Sequence, residues 1–447
     1  MRPRRRPPGS RGDSRRGPPG RLVTRFLRRL GVGAAIAVSA LLGAGSVVAD
    51  AAPAHADQVR DLEYWLQDYG FVKAWSVTKG AGVKVAIIDT GVATGVRDLG
   101  NAVVGGTDVS GLGSPDGQTP VGSGSEHATM VASLLAGRGT AQGDGILGVA
   151  PEASLLSVSV AFGDSDSEIS NDEQIADGIR WAVDNGAGVI NMSLTRNTLA
   201  WPESWDKAFL YAFEHDVVVV AAAGNRGSGT TEVGAPATIP GVLTVAGVDR
   251  DKSASFDASS QGITISVAAP SEEMVGVTPD GGYLMWNGTS AAAPIVSGLV
   301  ALVRSAHPEL GAADVIHRII ATADPNGHTV PSPIYGYGLI DAEAAVKATV
   351  STAPSTTPEQ QLRQWIHLHR RAEVEPTPVP TPVEVAPPTI QADPPVPRRA
   401  TASSWLPSPL SLTYISLPLA VLLGFAILVA LLGIGATRHL KRIRRNQ

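Results

Sequence analysis

From residue 57 to residue 349 the chain alternates short apolar runs with longer stretches in which apolar side chains recur every three or four positions. The runs Val83–Ile88, Leu155–Val160, Val189–Met192, Val217–Ala222 and Val242–Val248 are apolar nearly throughout. That pattern predicts strands buried on both faces, as in a parallel sheet. Between them, Thr129–Ala136, Glu173–Asn185 and Trp205–Glu214 carry helical spacing. A longer helical stretch from Thr289 to His307 follows, and then a weaker one at Ala312–Ala323. Strands alternating with helices predict an α/β fold with a mostly parallel sheet covered on both sides. In such folds functional residues gather beyond the carboxyl ends of the strands.

Outside this core the pattern changes. An apolar segment, Leu30–Val48, follows an arginine-rich leader, and Ala54-His55-Ala56 then supplies a small-x-small cleavage pattern. Residues 1–56 therefore read as a signal peptide with a long basic n-region, and residues 57–349 as the globular domain. Residues 350–410 are rich in Pro, Thr, Val and Glu, a composition that favours extended chain and builds no core. Within them, Gln361–Arg371 is the one patch with the composition of a short helix. The run Tyr414–Ala436 carries no charged side chain. At about 1.5 Å per residue a helix of that length crosses a bilayer core of roughly 30 Å. Residues 411–437 are accordingly expected to be a transmembrane helix and 438–447 a basic cytoplasmic tail. The expected location is the cell membrane, single-pass, with the large domain outside.

Charge supports that topology. Eleven arginines face two aspartates in residues 1–56, and the last ten residues hold five basic side chains, yet the whole chain has a net charge of −5. Basic ends around an acidic middle suit an exported, anchored chain better than a nucleic-acid binder. There are no cysteines, which excludes a disulfide framework, a thiol nucleophile and a Cys-based zinc site.

Four polar positions stand out against the apolar pattern. Asp89 closes the first strand in Ile87-Ile88-Asp89-Thr90-Gly91, at the sheet edge where a carboxylate can fix a neighbour. Asp-Thr-Gly also occurs in aspartic proteases, which need two carboxylates sharing a proton, and this chain has one such motif. His127 lies between a Gly/Ser-rich loop and a helix, and imidazole suits proton transfer near neutral pH. Ser290, in Asn287-Gly288-Thr289-Ser290-Ala291-Ala292-Ala293-Pro294, starts a helix among small residues. That position reads either as an N-cap or as a hydroxyl beside free backbone N–H donors. Asn225 follows a strand through Ala223-Gly224, as a turn residue or as an amide donor to an oxyanion.

In the order Asp, His, Asn, Ser across a parallel α/β pattern, these segments resemble the subtilisin-like serine proteases over roughly Lys84–Val346. The resemblance implies the family's three-layer fold and a catalytic triad of Asp89, His127 and Ser290. Asn225 and the Ser290 N–H would form the oxyanion hole. Asn191-Met192-Ser193-Leu194 is similar to the strand that pairs with substrate, which makes Ser193, Leu194, Thr195 and Gly224 the expected substrate-binding residues. Gly234–Pro270 resembles the segment ahead of the nucleophile.

Within the family the architecture is most similar to mycosins, the membrane-anchored proteases of type VII secretion systems. The stretch between the expected cleavage point after Ala56 and the first strand at Val83 is too short for a folding-assistant propeptide. The resemblance implies a polypeptide substrate, the membrane and type VII secretion components as partners, and no nucleic acid. It also implies no catalytic cofactor. Family members often carry structural Ca²⁺, but no Asp spacing here singles out a metal site.

Three residues depart from the family pattern: Ala128 and Thr195 where glycine is usual, and Ala291 where Met or Phe is common. Ala128 is expected to crowd the imidazole, and Thr195 to narrow the specificity pocket toward small side chains. The alternative they leave open is a weakly active or inactive fold acting as a structural clamp in a secretion complex.

Overall fold

The computed structural model describes residues 56–370 apart from 142, 164, 165, 230 and 354. The expected signal segment, most of the Pro-rich run, the apolar segment Tyr414–Ala436 and the basic tail lie outside the described residues. Seven parallel strands form one sheet: β1 (Lys84–Asp89), β2 (Val103–Asp108), β3 (Ser154–Ser159), β4 (Val189–Met192), β5 (Val218–Ala222), β6 (Leu243–Val248) and β7 (Ile265–Pro270), in the order β2-β3-β1-β4-β5-β6-β7. A separate antiparallel hairpin pairs β8 (Met274–Val277) with β9 (Tyr283–Trp286).

The helices, in chain order, are α1 (Ala56–Leu62), α2 (Tyr64–Asp68), α3 (Phe71–Ala74), α4 (His127–Ala136), α5 (Asn171–Asp184), α6 (Glu203–Glu214), α7 (Thr289–Ala306), α8 (Ala312–Ala321), α9 (Ala342–Lys347) and α10 (Pro358–His369). The five strands and five helices expected from apolar spacing all form, with their ends only slightly displaced. Strands β2 and β7 and the β8–β9 hairpin go beyond those expectations. In β2 (Val-Val-Gly-Gly-Thr-Asp) every residue keeps some exposure, so an edge strand leaves no continuous apolar run to read.

Register assigns the helices to faces. Ile88 and Val158 are partners across β1 and β3, and both side chains approach Gly178 of α5. Side chains alternate along a strand, so Ile87 and Asp89 point the other way. Asn191 is the β4 partner of Ile87, and it receives a hydrogen bond from Ser297 of α7 at 2.8 Å. Helices α5 and α6 therefore cover one face, and α7 with its packing partner α4 covers the other. The result is the expected three-layer α/β fold.

This arrangement carries an unusual hand. The steps β2→α4→β3 and β4→α6→β5 move the same way across the sheet, yet their helices lie on opposite faces. Crossovers are right-handed in about 98% of cases, so β2→α4→β3 is a left-handed one. Its consequence is functional: it puts the helix that begins with His127 on the same side as the helix that begins with Thr289-Ser290.

Helix α7 is the only one among the described residues long and apolar enough to cross a bilayer, with a mean hydropathy of 1.3, but 78% of it is buried in the protein. It is the central core helix. The N-terminal helices are fastened to the domain by Trp65 and Phe71, both fully buried. Glu63 adds a polar anchor by accepting from the Leu147 N–H at 2.8 Å. Burial pushes the Glu63 carboxyl up to about 8, against the pull of that N–H and of Arg60.

One boundary is corrected. Residues 350–370, assigned by composition to an extended spacer, lie on the folded body instead. Helix α10 opens with a capping box between Thr357 and Gln360 and has Pro358 in its first turn. It then buries Leu362 completely, packs Trp365 against Trp201 with ring centroids 4.2 Å apart, and ends where Arg370 bonds Asp206 at 2.9 Å. The short helical patch at Gln361–Arg371 was legible in composition. Its docking on α6 was not, because Trp201 and Asp206 lie far earlier in the chain.

Candidate active site

Strand β1 delivers Asp89 to the carboxyl edge of the sheet with 1% exposure. Its Oδ1 accepts from the Thr90 N–H at 2.7 Å, and both of its oxygens lie 2.9 Å from Nδ1 of His127. Thr90 adds a second tie, because its hydroxyl accepts from the Ala128 N–H at 3.2 Å. One end of β1 thus holds both the imidazole and the first turn of the helix that carries it. The Ala128 methyl is fully buried, yet the imidazole–carboxylate contact is closed. The expected crowding does not open it.

The His127 side chain keeps 28% exposure, and two opposed influences act on its pKa. Burial, the largest, pushes it down. The charge and hydrogen bond of Asp89, helped by Glu126, outweigh burial and raise it above the ordinary histidine value. An Nδ1 held by a buried carboxylate leaves Nε2 as the nitrogen able to accept a proton.

Opposite this pair, α7 begins at Thr289 and places Ser290 in its first turn. Pro294 has no N–H to give the Ser290 carbonyl, its partner four residues earlier. Ser193 fills the vacancy: its hydroxyl donates to the Ser290 carbonyl at 2.8 Å. In return the Ser290 hydroxyl donates to the Ser193 carbonyl at 3.0 Å. Asn191 steadies Ser193 through its amide at 3.0 Å and is itself held by Ser297. A polar chain buried between β4 and α7 therefore fixes the serine. Among the described residues its hydroxyl bonds Ser193 and not His127.

Asn225 follows β5. Its Oδ1 accepts from both the N–H and the hydroxyl of Thr289, each at 2.8 Å, which turns Nδ2 outward as the remaining donor. Gly288 makes this approach possible. Its φ of +141° is open only to glycine, and a Cβ there would lie 2.9 Å from Asn225 Nδ2. The Gly224 N–H also bonds the Thr289 hydroxyl, at 3.1 Å. An amide and a helix N-terminus converging beside a hydroxyl is an arrangement that can stabilise a negatively charged oxygen.

The loop after β4 carries Leu194 and Thr195, both half-buried. A Cβ on Gly234 would lie 2.6 Å from Thr195 Oγ1 and 1.8 Å from the Arg196 carbonyl. The threonine hydroxyl therefore occupies space beside the 233–235 segment. All of the expected residues gather at the carboxyl ends of β1, β4 and β5.

Sequence reasoning missed three contributors. Thr90 was visible only as part of a strand end, and Asn191 only as a strand residue. Trp286 is the third: its ring lies 5.6 Å from the His127 ring at 79°. No local signal marks an isolated tryptophan on a hairpin so far along the chain from the residue it touches.

Residues 80–338 match the model of the subtilase family, peptidase S8. The chain is 39% identical over 274 residues to subtilisin DY of Bacillus licheniformis, covering 60% of this chain and 92% of that protein. It is 34% identical over 322 residues to mycosin-4 of Mycobacterium tuberculosis, covering 62% and 67% respectively. Among solved structures, MycP1 from the ESX-1 type VII secretion system aligns with a TM-score of 0.57 and 30% identity, over 66% of this chain and 88% of that one. The family match, the parallel sheet and the residues gathered at its carboxyl edge agree: the chain belongs to the subtilase family and is a serine endopeptidase related to the MycP proteases of type VII secretion.

Proposed function

We propose that the protein cleaves polypeptides through a triad of Asp89, His127 and Ser290, as an exported, membrane-anchored protease working beside a type VII secretion system. The observation that carries the triad is the placement of His127 Nδ1 at 2.9 Å from both oxygens of the buried Asp89, on the side of the sheet where Ser290 opens α7. In this reading the Ser290 hydroxyl leaves the Ser193 carbonyl when substrate arrives. Its oxygen attacks the scissile carbonyl carbon while His127 Nε2 takes its proton. The carbonyl π electrons move onto oxygen, which is held by Asn225 Nδ2 and the Ser290 N–H. His127 then gives the proton to the departing amine as the C–N bond breaks, and water repeats the sequence to release the acyl group.

The Ser193–Thr195 backbone and Gly224 would hold the substrate in extended form. The Thr195 side chain beside Gly234 supports a preference for small residues before the cleaved bond. The mycosin and MycP relatives support the secretion link. The apolar segments at Leu30–Val48 and Tyr414–Ala436 support export and anchoring.

Incubating the full-length chain with a fluorophosphonate probe tests the triad. Labelling of the wild type that vanishes in Ser290→Ala is expected. A folded wild type that stays unlabelled would overturn the triad and leave the domain as a structural clamp. The absence of native cysteines offers a clean topology test. A single Ser228→Cys on the exposed loop after Asn225 should react with an impermeant maleimide on intact cells. Reaction only after cell lysis would reverse the assigned orientation.

A further inference from the structure

The site leaves one requirement unmet. The imidazole of His127 is gripped at Nδ1 only, its side chain is 28% exposed, and among the described residues the Ser290 hydroxyl bonds Ser193 instead of Nε2. A ring held at one atom can rock about that hydrogen bond. Efficient proton transfer needs Nε2 kept within hydrogen-bond reach of the attacking hydroxyl. Some second contact must limit the ring.

Trp286 is placed to do so. It ends β9, opposite Met274 of β8, and meets the imidazole edge to face at 5.6 Å. The hairpin that carries it is fixed from several sides. A Cβ on Gly276 would lie 2.7 Å from the Cβ of Met130, so the hairpin rests directly on the His127 helix. The Val277 N–H donates to Ser133 of that helix at 3.2 Å. The Tyr283 hydroxyl donates to the buried Asp98 at 3.0 Å, and the Glu273 N–H to Asn287 Oδ1 at 2.8 Å. From the N-terminal segment, the Tyr64 hydroxyl donates to the Glu272 carbonyl at 2.9 Å.

The indole itself is informative. Its N–H is buried and, among the described residues, has no hydrogen-bond partner. A buried unpaired donor is destabilising, and a phenylalanine would present a ring without that cost. The residue is therefore not explained by its hydrogen bonding; what it supplies is the flat wall against His127.

We infer that Trp286 is a positioning residue for the base, a wall that confines the His127 ring so that Nε2 stays directed toward Ser290. It acts through His127 and takes no part in bond making. The inference rests on the proposed triad.

The test is the rate of fluorophosphonate labelling of the full-length chain as a function of pH. The probe loses fluoride and has no residue on the leaving side, so a lost contact with a peptide leaving group cannot affect it. Trp286→Ala should label on the order of tenfold more slowly, the scale expected when a reacting group is loosened without being removed. Its acid limb should also move to higher pH, because burial is the largest influence holding the His127 pKa down and the substitution admits water. Trp286→Phe, which restores a ring, should recover most of the rate and return the limb. If Trp286→Ala fails to fold, Trp286→Leu takes its place, keeping apolar bulk without the flat ring. Wild-type rate and an unmoved limb in the folded variant would overturn the inference while leaving the triad standing. No labelling of the wild type, or labelling that persists in Ser290→Ala, would overturn the triad itself.

Discussion

The two halves of the site are held in different ways. On the acid–base side, Asp89 and His127 already touch at 2.9 Å, with Thr90 tying strand end to helix start. On the nucleophile side, Ser290 exchanges hydrogen bonds with Ser193, and Asn225 spends its carbonyl oxygen on Thr289 while its amide waits. In the proposed triad the base is assembled in advance and the nucleophile rests on a backbone carbonyl. The difference follows from charge. A buried carboxylate without a partner is costly, so Asp89 must be paired at all times. A neutral hydroxyl exchanges one acceptor for another at little cost.

The largest expected effect breaks the first half. Asp89→Asn should lower kcat on the order of 10⁴-fold, since the wrong imidazole tautomer then faces Ser290. The pH profile adds the sign. His127 must be neutral to accept a proton, so activity in the native protein should rise only as pH passes its raised pKa, above 6.5. In Asp89→Asn the residual activity should rise at lower pH. Stability runs the other way: the His127–Asp89 contribution is complete below the unfolded-state value near 6.5 and is lost as pH climbs through the folded value. Identical acid limbs in the two proteins would show that Asp89 does not govern His127.

Next comes the oxyanion side. Asn225→Ala should cost about 10²- to 10³-fold in kcat with KM little changed, read from steady-state kinetics on a peptide substrate. A loss confined to KM would recast Asn225 as a substrate contact.

Thr195→Gly should shift specificity by about 10- to 200-fold toward larger residues before the cleaved bond, the range that one small group in a pocket commands. A peptide library gives the readout. Efficient cleavage after Phe or Tyr by the unsubstituted protein would sink the narrowed-pocket idea.

The smallest effect sharpens the comparison itself. Ser193→Ala removes the hydroxyl that replaces the missing Pro294 donor, a loss of about 1 kcal/mol, or roughly fivefold in kcat. Its acid limb should stay in place, because this half does not touch His127. A moved limb would mean that the two halves are coupled.

How much was legible follows the same physics. The central strands could be read because burial on both faces demands continuous apolar runs, and Val218–Ala222 is buried throughout. Edge strand β2 and strand β9 could not, because half-exposed strands need satisfy no such demand, and the buried β8 is only four residues long with Gly276 inside it. Asp89, His127, Asn225 and Ser290 were visible at strand ends and helix starts. Trp286 was not, since only folding brings a hairpin end against α4.

The chain by itself determined its family, its layer order and the residue types available for chemistry, because each depends on local pattern: apolar period, glycine and proline placement, and a polar side chain where a strand stops. Tertiary structure decided which groups touch. The left-handed step through α4 sets His127 on the face of α7, Pro294 hands the Ser290 carbonyl to Ser193, and α10 folds back onto α6 where composition pointed to a free spacer. Each joins residues far apart in sequence through contacts of about 3–6 Å, and no local pattern encodes what lies across such a gap.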